Sequence, residues 1–318
     1  MPSRKLTRRS LLAQAAALAG ASFFTGCGSP GGETGSLDAV WGQPGTTPGK
    51  LQKPRAITID KHDNLYIVDI TPRISVFTPD GEYLRGWQTP KFANGKPSGL
   101  SFSLDGNLLV ADTHYARILC YTPEGKLLEN RTIGGKAGEK PGEFSCVTDC
   151  LEDSTGNYYV SEYGEWDRIQ KFTPQRKYVS QWGGHGSEPG KFLRPQKMAI
   201  DDQDQIWVTD ACNHRVQVFD VRGSEPKSVR IWGEEGHAPG QLRYPYDILL
   251  DGKGHVYLCE FGNHRVQKFT LAGDLIGWWG KNGRRDGELD QPWGITRDSE
   301  GRMYVLDSYN HRVQRFWL

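Results

Sequence analysis

Five residues, NHRVQ, occur three times in the second half of this 318-residue chain, at 213–217, 263–267 and 310–314. The copies begin 50 and then 47 residues apart. A catalytic motif is needed once, whereas a motif repeated at a nearly fixed period indicates an architecture of repeated units. A period of this length suits four short strands and their turns. The repeat therefore constrains the fold more than any other feature of the chain.

Looser copies precede these three, which gives six units in all. Each unit has an acid at the end of its first apolar run and an arginine four to six residues later. The acids are Asp69, Asp112, Glu162, Asp210, Glu260 and Asp307, and the arginines are Arg73, Arg117, Arg168, Arg215, Arg265 and Arg312. A guanidinium can bond a carboxylate and nearby carbonyls together. We therefore predict structural pairs in every unit, not a ring of metal ligands.

The runs within each unit are typical of strands. They are short, rich in β-branched and aromatic residues, and bounded by Gly, Pro, Asp and Asn. Four units end in a tryptophan, at Trp87, Trp182, Trp232 and Trp279. Four antiparallel strands per unit, repeated radially, predict an all-β, six-bladed β-propeller.

The two ends of the chain complement each other. The last unit stops at Leu318 with only three strands, whereas "LDAVWG" at 37–42 has the pattern of the missing fourth strand. Pairing of the two would leave no open sheet edge. We predict a propeller spanning residues 37–318 whose last blade is closed by the N-terminal strand.

The "NHRVQxF" core, with "VxD" upstream and "WG" downstream, resembles the NHL repeat family. The resemblance covers the chain after residue 36 and implies a six-bladed propeller. The fold hosts binding modules and enzymes alike, so it does not by itself imply an activity.

The first 26 residues have a different composition. "TRRSLL" at 7–12, followed by an uncharged Ala/Leu stretch, resembles a twin-arginine export signal. "FTGC" at 24–27 resembles the lipobox of bacterial lipoproteins, so Cys27 is a candidate lipidation site. We expect a signal peptide at 1–26, a flexible tether at 27–36 and an extracytoplasmic protein whose only membrane contact is its lipid anchor. Cleavage after Ala19 would instead release a soluble periplasmic or secreted protein.

The charge balance bears on which partners the chain could bind, and the cysteines bear on its core. The chain has 39 basic and 38 acidic residues, and four of the basic ones lie in the first 26 residues, which leaves 35 against 38. This balance does not predict a nucleic-acid partner, and we expect a monomer. The cysteines after Cys27 are Cys120, Cys146, Cys150, Cys212 and Cys259. We expect buried thiols that serve as small apolar residues.

Propeller ligands usually bind at the mouth of the central channel, where the innermost strands begin. Aligning the six units gives two mouth positions per blade, and these vary where the scaffold repeats. The pairs are Arg55 and Ala56, Ser98 and Gly99, Thr148 and Asp149, Gln196 and Lys197, Tyr246 and Asp247, and Trp293 and Gly294. The neighbouring loops add further breaks in the pattern at His114, Tyr115, Trp166, Phe261 and Tyr309. The candidate ligand-binding residues are Arg55, Tyr115, Asp149, Trp166, Gln196, Lys197, Tyr246, Asp247 and Trp293.

Two functions follow from this mouth. The first is a binding module for a peptide, a glycan or a partner protein. The alternative is a propeller enzyme, a lyase or hydrolase, with its site at the same place.

A metal site is a separate question. Resemblance to the amidating lyase would imply a channel zinc held by histidines, but no mouth position is histidine. We expect His214, His264 and His311 to be structural. A calcium site would need more carboxylates than Asp149 and Asp247. No catalytic residue and no cofactor is predicted, and zinc and calcium remain open.

Overall fold

The computed structural model describes residues 32, 34–223 and 225–318. The predicted export signal, including Arg8, Arg9 and Ala19, lies outside these residues, as does the candidate lipidation site Cys27. The described chain forms six four-stranded antiparallel sheets arranged in a ring, as predicted. We number the blades 1 to 6 in the order of their innermost strands.

Each blade runs from the channel outward. The innermost strands are Ala56–Ile59, Gly99–Phe102, Cys146–Glu152, Pro195–Ile200, Pro245–Leu250 and Ile295–Arg297. The second strands are Leu65–Val68, Leu108–Asp112, Tyr158–Tyr163, Gln205–Asp210, His255–Glu260 and Met303–Asp307. The third strands are Arg73–Phe77, Arg117–Tyr121, Arg168–Phe172, Arg215–Asp220, Arg265–Thr270 and Arg312–Trp317.

The outermost strands are Tyr83–Gln88, Ile133–Gly134, Tyr178–Gly183, Lys227–Trp232, Leu275–Trp279 and, for blade 6, Ser36–Trp41. Four short 3-10 helices lie in the loops, at Thr113–Tyr115, Glu129–Arg131, Ala211–Asn213 and Ser308–Asn310. In the described part of the chain, no helix has the length and apolar character needed to cross a bilayer.

The N-terminal strand closes the ring, as predicted. Ser36–Trp41 pairs antiparallel with Arg312–Trp317, so blade 6 combines one strand from the start of the described chain with three from its end. The innermost strands of blades 1 and 6 also contact each other, which completes the circle around the channel. The third strand of blade 6 is thereby covered, and the outward edge of every sheet lies on a fourth strand.

The hydrophobic core is distributed between the blades. Each of six clusters of buried apolar side chains is shared by two neighbouring blades. No blade buries its faces alone, so the blades depend on each other for stability. Cys120, Cys150 and Cys259 are buried, as expected, and Cys120 and Cys150 belong to one such cluster.

The expectation of buried thiols is wrong for two cysteines. Cys146 is half-buried because it begins an innermost strand near the mouth, and Cys212 is exposed because it lies in the 3-10 turn Ala211–Asn213. All five described cysteines are free thiols.

The NHRVQ motif is a connector between loops and blades. In blade 4, Asn213, Arg215 and Gln217 donate hydrogen bonds of 2.7–3.1 Å to backbone carbonyls of the loop that precedes the blade. The Nδ1 atom of His214 accepts the backbone N–H of Tyr244, in the loop leading to blade 5, at 3.0 Å. The valine of the motif, Val216, is fully buried. Every letter of the motif therefore has a structural task.

The equivalent histidines make the same connection elsewhere. The Nδ1 atoms of His264 and His311 accept backbone N–H groups of Gln291 and Lys53, which lead into blades 6 and 1. In blade 3, where the sequence departs from the motif, a carboxylate oxygen of Asp167 accepts the N–H of Arg194 at 3.0 Å. Burial lowers the pKa of His214 and of His264. These histidines are structural, as predicted.

All six predicted acid–arginine pairs are present, and we call them the clasps. The carboxylate–guanidinium distances are 2.6–3.0 Å, and every carboxylate is buried. In five blades the same carboxylate also accepts a backbone N–H from the loop before the blade. The clasp thus ties the second strand, the third strand and this loop into one unit.

Blade 2 departs most from the repeat. Its outermost strand, Ile133–Gly134, has only two residues and follows the 3-10 helix Glu129–Arg131. The guanidinium of Arg131 forms an ion pair with Asp105, so this segment turns toward the edge of its own blade. The polar run "ENR" replaces the apolar alternation of a strand, which explains both the short pairing and the missing tryptophan.

Candidate functional site

The variable mouth positions converge on one small cavity at the head of the central channel. Its lining includes six of the predicted residues, namely Arg55, Gln196, Lys197, Tyr246, Asp247 and Trp293. The cavity volume is ≈ 10 Å³, about what one water molecule requires. A larger ligand would therefore lie on the rim, against the side chains that surround the cavity.

An aromatic cluster forms one side of this rim. The rings of Tyr246 and Phe261 stack with centroids 4.6 Å apart and an interplanar angle of 24°. Trp293 meets both rings edge-on, at 4.9 Å from Tyr246 and 5.5 Å from Phe261. All three side chains are half-buried. They come from two neighbouring blades, so the cluster exists only in the closed ring.

Two arginines extend the rim on either side of the cluster. The Arg55 guanidinium lies 5.3 Å from the Trp293 ring centroid. The Arg194 guanidinium lies 4.5 Å from the Tyr163 ring centroid and 5.3 Å from that of Tyr246. Its Nε–H donates to the side-chain oxygen of Gln196 at 2.8 Å, which fixes its orientation. Neither arginine has a carboxylate within ion-pair distance among the described residues.

Below the rim, the channel holds the ion pair of Lys197 with Asp149 and a second buried carboxylate, that of Asp247. Lys197 Nζ donates to Asp149 Oδ1 at 2.7 Å and to the backbone carbonyl of Leu100 at 2.8 Å. The other carboxylate oxygen of Asp149 accepts the backbone N–H of Met198 at 3.0 Å. Asp149 in blade 3 therefore bonds the innermost strand of blade 4 as well as the lysine.

Asp247 repeats this connection two blades further around the ring. One carboxylate oxygen accepts the backbone N–H of Ile248 at 2.8 Å, and the other accepts that of Ile295 in blade 6 at 2.9 Å. Burial raises the pKa of Asp247 to about 7, although the Lys197 charge acts in the opposite direction. Burial also raises the pKa of Asp149. Burial opposes the charged form of Lys197, but the nearby Asp149 and Asp247 raise its pKa overall.

The two remaining predicted residues lie elsewhere. Tyr115 and Trp166 do not line the mouth cavity. Their rings lie beside the clasp arginines of their own blades, Arg117 at 5.3 Å and Arg168 at 5.9 Å. The structure therefore brings seven of the nine candidates together: six line the cavity, and Asp149 is bonded to one of them, Lys197. Tyr115 and Trp166 lie on separate loops.

Arg194 and Tyr163 were not predicted, whereas Phe261 was noted as a break in the pattern of its loop but not placed among the candidate ligand-binding residues. Arg194 precedes the proline of its innermost strand and has a positive φ of 64°. Tyr163 and Phe261 each follow the clasp acid of their blade directly. The residues at both places vary between blades, and this variation is the signal that points to Arg194 and Tyr163 as well.

The network also bears on a metal. Among the residues with described positions, no three His, Cys, Asp or Glu side chains lie together in a way that could hold a metal ion. The two carboxylates in the channel, those of Asp149 and Asp247, already accept hydrogen bonds from backbone N–H groups. The Lys197 ammonium beside them would repel a cation. The residues present in the channel therefore do not fit the zinc or calcium that sequence reasoning left open.

Comparison with known proteins supports the repeat assignment. The NHL repeat family matches residues 192–219, 242–269 and 289–316, which contain the three NHRVQ motifs. NHL repeat-containing protein 3 of Mus musculus is 27% identical over 237 residues, which cover 64% of this chain and 67% of that protein.

A second relative is an enzyme with further parts. Peptidylglycine alpha-amidating monooxygenase of Rattus norvegicus is 35% identical over 133 residues, or 39% of this chain. The matched segment is 13% of the length of that enzyme. The likeness therefore concerns a small part of the rat protein.

Solved structures with the same fold have different functions. Virginiamycin B lyase of Staphylococcus aureus superposes with a TM-score of 0.56 at 14% identity, covering 83% of this chain and 80% of the lyase. An auxiliary nutrient binding protein of Bacteroides ovatus gives a TM-score of 0.64 at 16% identity, covering 84% and 69%. At these identities the likeness concerns the fold alone. The chain therefore contains three matched NHL repeats within a six-bladed β-propeller.

Proposed function

We propose that this protein is a binding module that captures a peptide, glycan or partner protein on the mouth of its propeller. The observation that carries the proposal is the convergence of the side chains that break the six-fold repeat. Tyr246, Phe261 and Trp293 form a half-buried aromatic cluster there, between Arg55 and Arg194. Such a surface offers flat apolar faces beside hydrogen-bond donors, which suits sugars and peptides.

The recurrent contacts of the scaffold do not include these side chains. The clasps and the NHRVQ connections hold the blades together through residues that recur from blade to blade, whereas the aromatic cluster occurs once. Half-buried aromatic rings leave apolar surface in contact with water, and a ligand that covers them gains the corresponding hydrophobic free energy. The nutrient binding protein with the same fold gives a precedent for binding by such a propeller.

The test is a binding screen of the purified full chain against peptide and glycan arrays. A Trp293→Ala variant should lose about tenfold or more of the affinity for any ligand found, because aromatic anchors dominate such sites. A matched control is Trp317→Ala, which removes an exposed tryptophan at the end of the third strand of blade 6. Equal binding by wild type and Trp293→Ala, with every ligand found, would refute the mouth as the site.

An enzyme is the second candidate, and one observation favours it. Asp247 is a buried carboxyl with a pKa of about 7, which is the value a general base needs. Both of its oxygens, however, already accept backbone N–H groups, and it lies below the rim. Mass spectrometry of a bound ligand before and after incubation tests for turnover, and metal analysis of the purified protein tests for zinc or calcium. An unchanged ligand mass supports the binding module.

The proposal includes export and tethering by a lipid on Cys27. The support is the twin-arginine pattern at 7–12 and the lipobox-like "FTGC". Cys27→Ser should release the protein from membranes, whereas cleavage after Ala19 predicts no change. Replacement of Arg8 and Arg9 by lysine should block export, and normal export of that variant would contradict the twin-arginine route.

A further inference from the structure

We infer that the ligand of the mouth carries a carboxylate, which Arg55 and Arg194 bind. This inference rests on the binding function proposed above and specifies the chemistry of its ligand. It starts from a difference between the arginines of the molecule. Each of the six clasp arginines has a buried carboxylate at 2.6–3.0 Å, whereas the two mouth arginines have none among the described residues.

The mouth arginines are held in place without being neutralised. Arg194 lies over Tyr163 and Tyr246, and Gln196 accepts its Nε–H. The described residues supply no hydrogen-bond acceptor for its two terminal nitrogens. Arg55 lies over Trp293 and makes no side-chain hydrogen bond within the described chain. A guanidinium stays charged at any physiological pH, so Arg55 and the terminal nitrogens of Arg194 are charged donors without an acceptor among the described residues.

The two like charges also influence each other. Burial lowers the pKa of Arg55, and the charge of Arg194 acts in the same direction, while Tyr163, Tyr309 and the clasp carboxylate of Asp69 oppose it. Two half-buried cations at one rim are costly unless an anion compensates them. The carboxylates around them already have partners: Asp69 is paired with Arg73, Asp149 is bonded to Lys197, and Asp247 accepts backbone N–H groups.

The groups of the rim that can bind an anion are the guanidinium groups of Arg55 and Arg194. Lys197 lies below them and is already bonded to Asp149. The planar guanidinium fork binds a carboxylate through two parallel hydrogen bonds.

The aromatic cluster lies between the two arginines. Along the rim the order is Arg55, Trp293, Tyr246 and Arg194, with successive distances of 5.3, 4.9 and 5.3 Å between groups. A ligand whose carboxylate meets an arginine would therefore place its adjoining ring or side chain on an aromatic face. The C-terminus of a peptide and an acidic sugar both have this chemistry.

The experiment compares charged probes with neutral partners of the same shape. One pair is an oligogalacturonate and its methyl ester; the other is a peptide with a free C-terminal carboxylate and its amide. Calorimetric titration of the full chain should show one charged probe binding about tenfold to a hundredfold more tightly than its neutral partner, the range expected for a charged hydrogen bond. The pair that shows the difference identifies the source of the carboxylate.

Arginine variants show which side chains cause the preference for the charged probe. Arg55→Ala and Arg194→Ala should each remove most of the preference for the charged probe. The matched control Arg222→Ala should keep it, because Arg222 is an exposed arginine already paired with Asp220 at 2.7 Å. A melting curve of each variant confirms that it is folded, and Arg55→Gln keeps donors without the charge as a second check.

The outcomes separate the two proposals. Equal affinity for charged and neutral probes, both reduced by Trp293→Ala, would overturn the carboxylate inference and leave the mouth as the binding site. The carboxylate inference would also be overturned if a phosphorylated form of the peptide bound more tightly than the unphosphorylated peptide with its free C-terminal carboxylate. If Trp293→Ala, Arg55→Ala and Arg194→Ala all leave the binding of the probe unchanged, both proposals are overturned. Absence of binding to either charged probe contradicts the carboxylate inference, while the array screen still decides the proposed function.

Discussion

The clasps and the mouth use the same residue type in opposite ways. In a clasp such as that of Arg265, the guanidinium bonds the buried Glu260 carboxylate at 2.6 Å and donates to three carbonyls at 2.7–3.0 Å. At the mouth, Arg55 has a ring beside it and no anion among the described residues. In this comparison the arginine with a carboxylate partner recurs in every blade, whereas the arginine without one stands at a single mouth position. Repetition therefore marks the scaffold, and departure from it marks the candidate site.

The largest effect is expected from opening the ring. Deletion of residues 1–42 removes Ser36–Trp41 and leaves Arg312–Trp317 as an exposed edge. We expect aggregation and loss of a single cooperative unfolding transition, because the clusters between blades depend on a closed ring. Calorimetry and light scattering measure both. A monomeric truncated chain with an unchanged melting curve would show that closure does not stabilise the scaffold.

The next effect is expected in a clasp. Arg265→Ala leaves the Glu260 carboxylate buried without its cation, and the free energy of unfolding should fall by about 3–5 kcal/mol. Urea denaturation measures the change. Arg265 bonds Glu260 and three loop carbonyls rather than a rim side chain, so the preference among ligands should be unaltered. A loss below about 1 kcal/mol would contradict the scaffold role.

A smaller effect, dependent on pH, is expected from the channel network. Asp247 has a pKa of about 7 against an ordinary value of 3.8. Between these values the folded carboxyl holds a proton that the unfolded one has lost, so its contribution to stability falls as pH rises from about 4 to 7. Asp247→Asn also disturbs the bond to Ile295 at any pH. Its stability deficit relative to wild type should therefore be larger at pH 5 than at pH 8.

The matched control for this prediction is Asp298→Asn. The hydrogen bonds of Arg302 and Tyr304 outweigh burial and lower the pKa of Asp298, so its carboxyl is ionised in both states above pH 5. Its deficit should be the same at pH 5 and pH 8. An equal pH response of the two variants would contradict the assignment of the effect to Asp247.

The smallest effect on stability is expected from Arg55→Ala. Arg55 makes no side-chain hydrogen bond or ion pair with the described residues, so the free energy of unfolding should change by less than about 1 kcal/mol. Affinity for a bound ligand should nevertheless fall about tenfold or more. Urea denaturation and titration of the same preparation measure the two quantities.

The sequence predicted the fold well because the fold is repetitive. Six copies of one pattern identified the strands, the clasps and the closing strand, each of which depends on local spacing and hydrogen bonding. Blade 2 differs because "ENR" is polar where a strand should alternate. Single positions that interrupt a pattern weaken one blade, but the neighbouring blades still determine the ring.

The site was predicted only in part, for two physical reasons. The aligned positions identified which residues approach the axis, but not how deep they lie, and Asp247 proved to be a buried connector to Ile295 rather than a solvent-facing group. Contacts across blades, such as Arg194 against Tyr246, depend on side-chain reach around a closed ring. No spacing within one unit carries that information.

The most direct test of the distinction between scaffold and site is a paired measurement on Arg55→Ala and Arg265→Ala. Unfolding free energy and affinity for one mouth ligand are measured for both variants and for wild type. The scaffold-and-site account predicts a crossed result, in which Arg265→Ala loses stability and keeps its affinity while Arg55→Ala keeps its stability and loses affinity. Parallel losses of stability and affinity in the two variants, or no loss of affinity in Arg55→Ala, would contradict it.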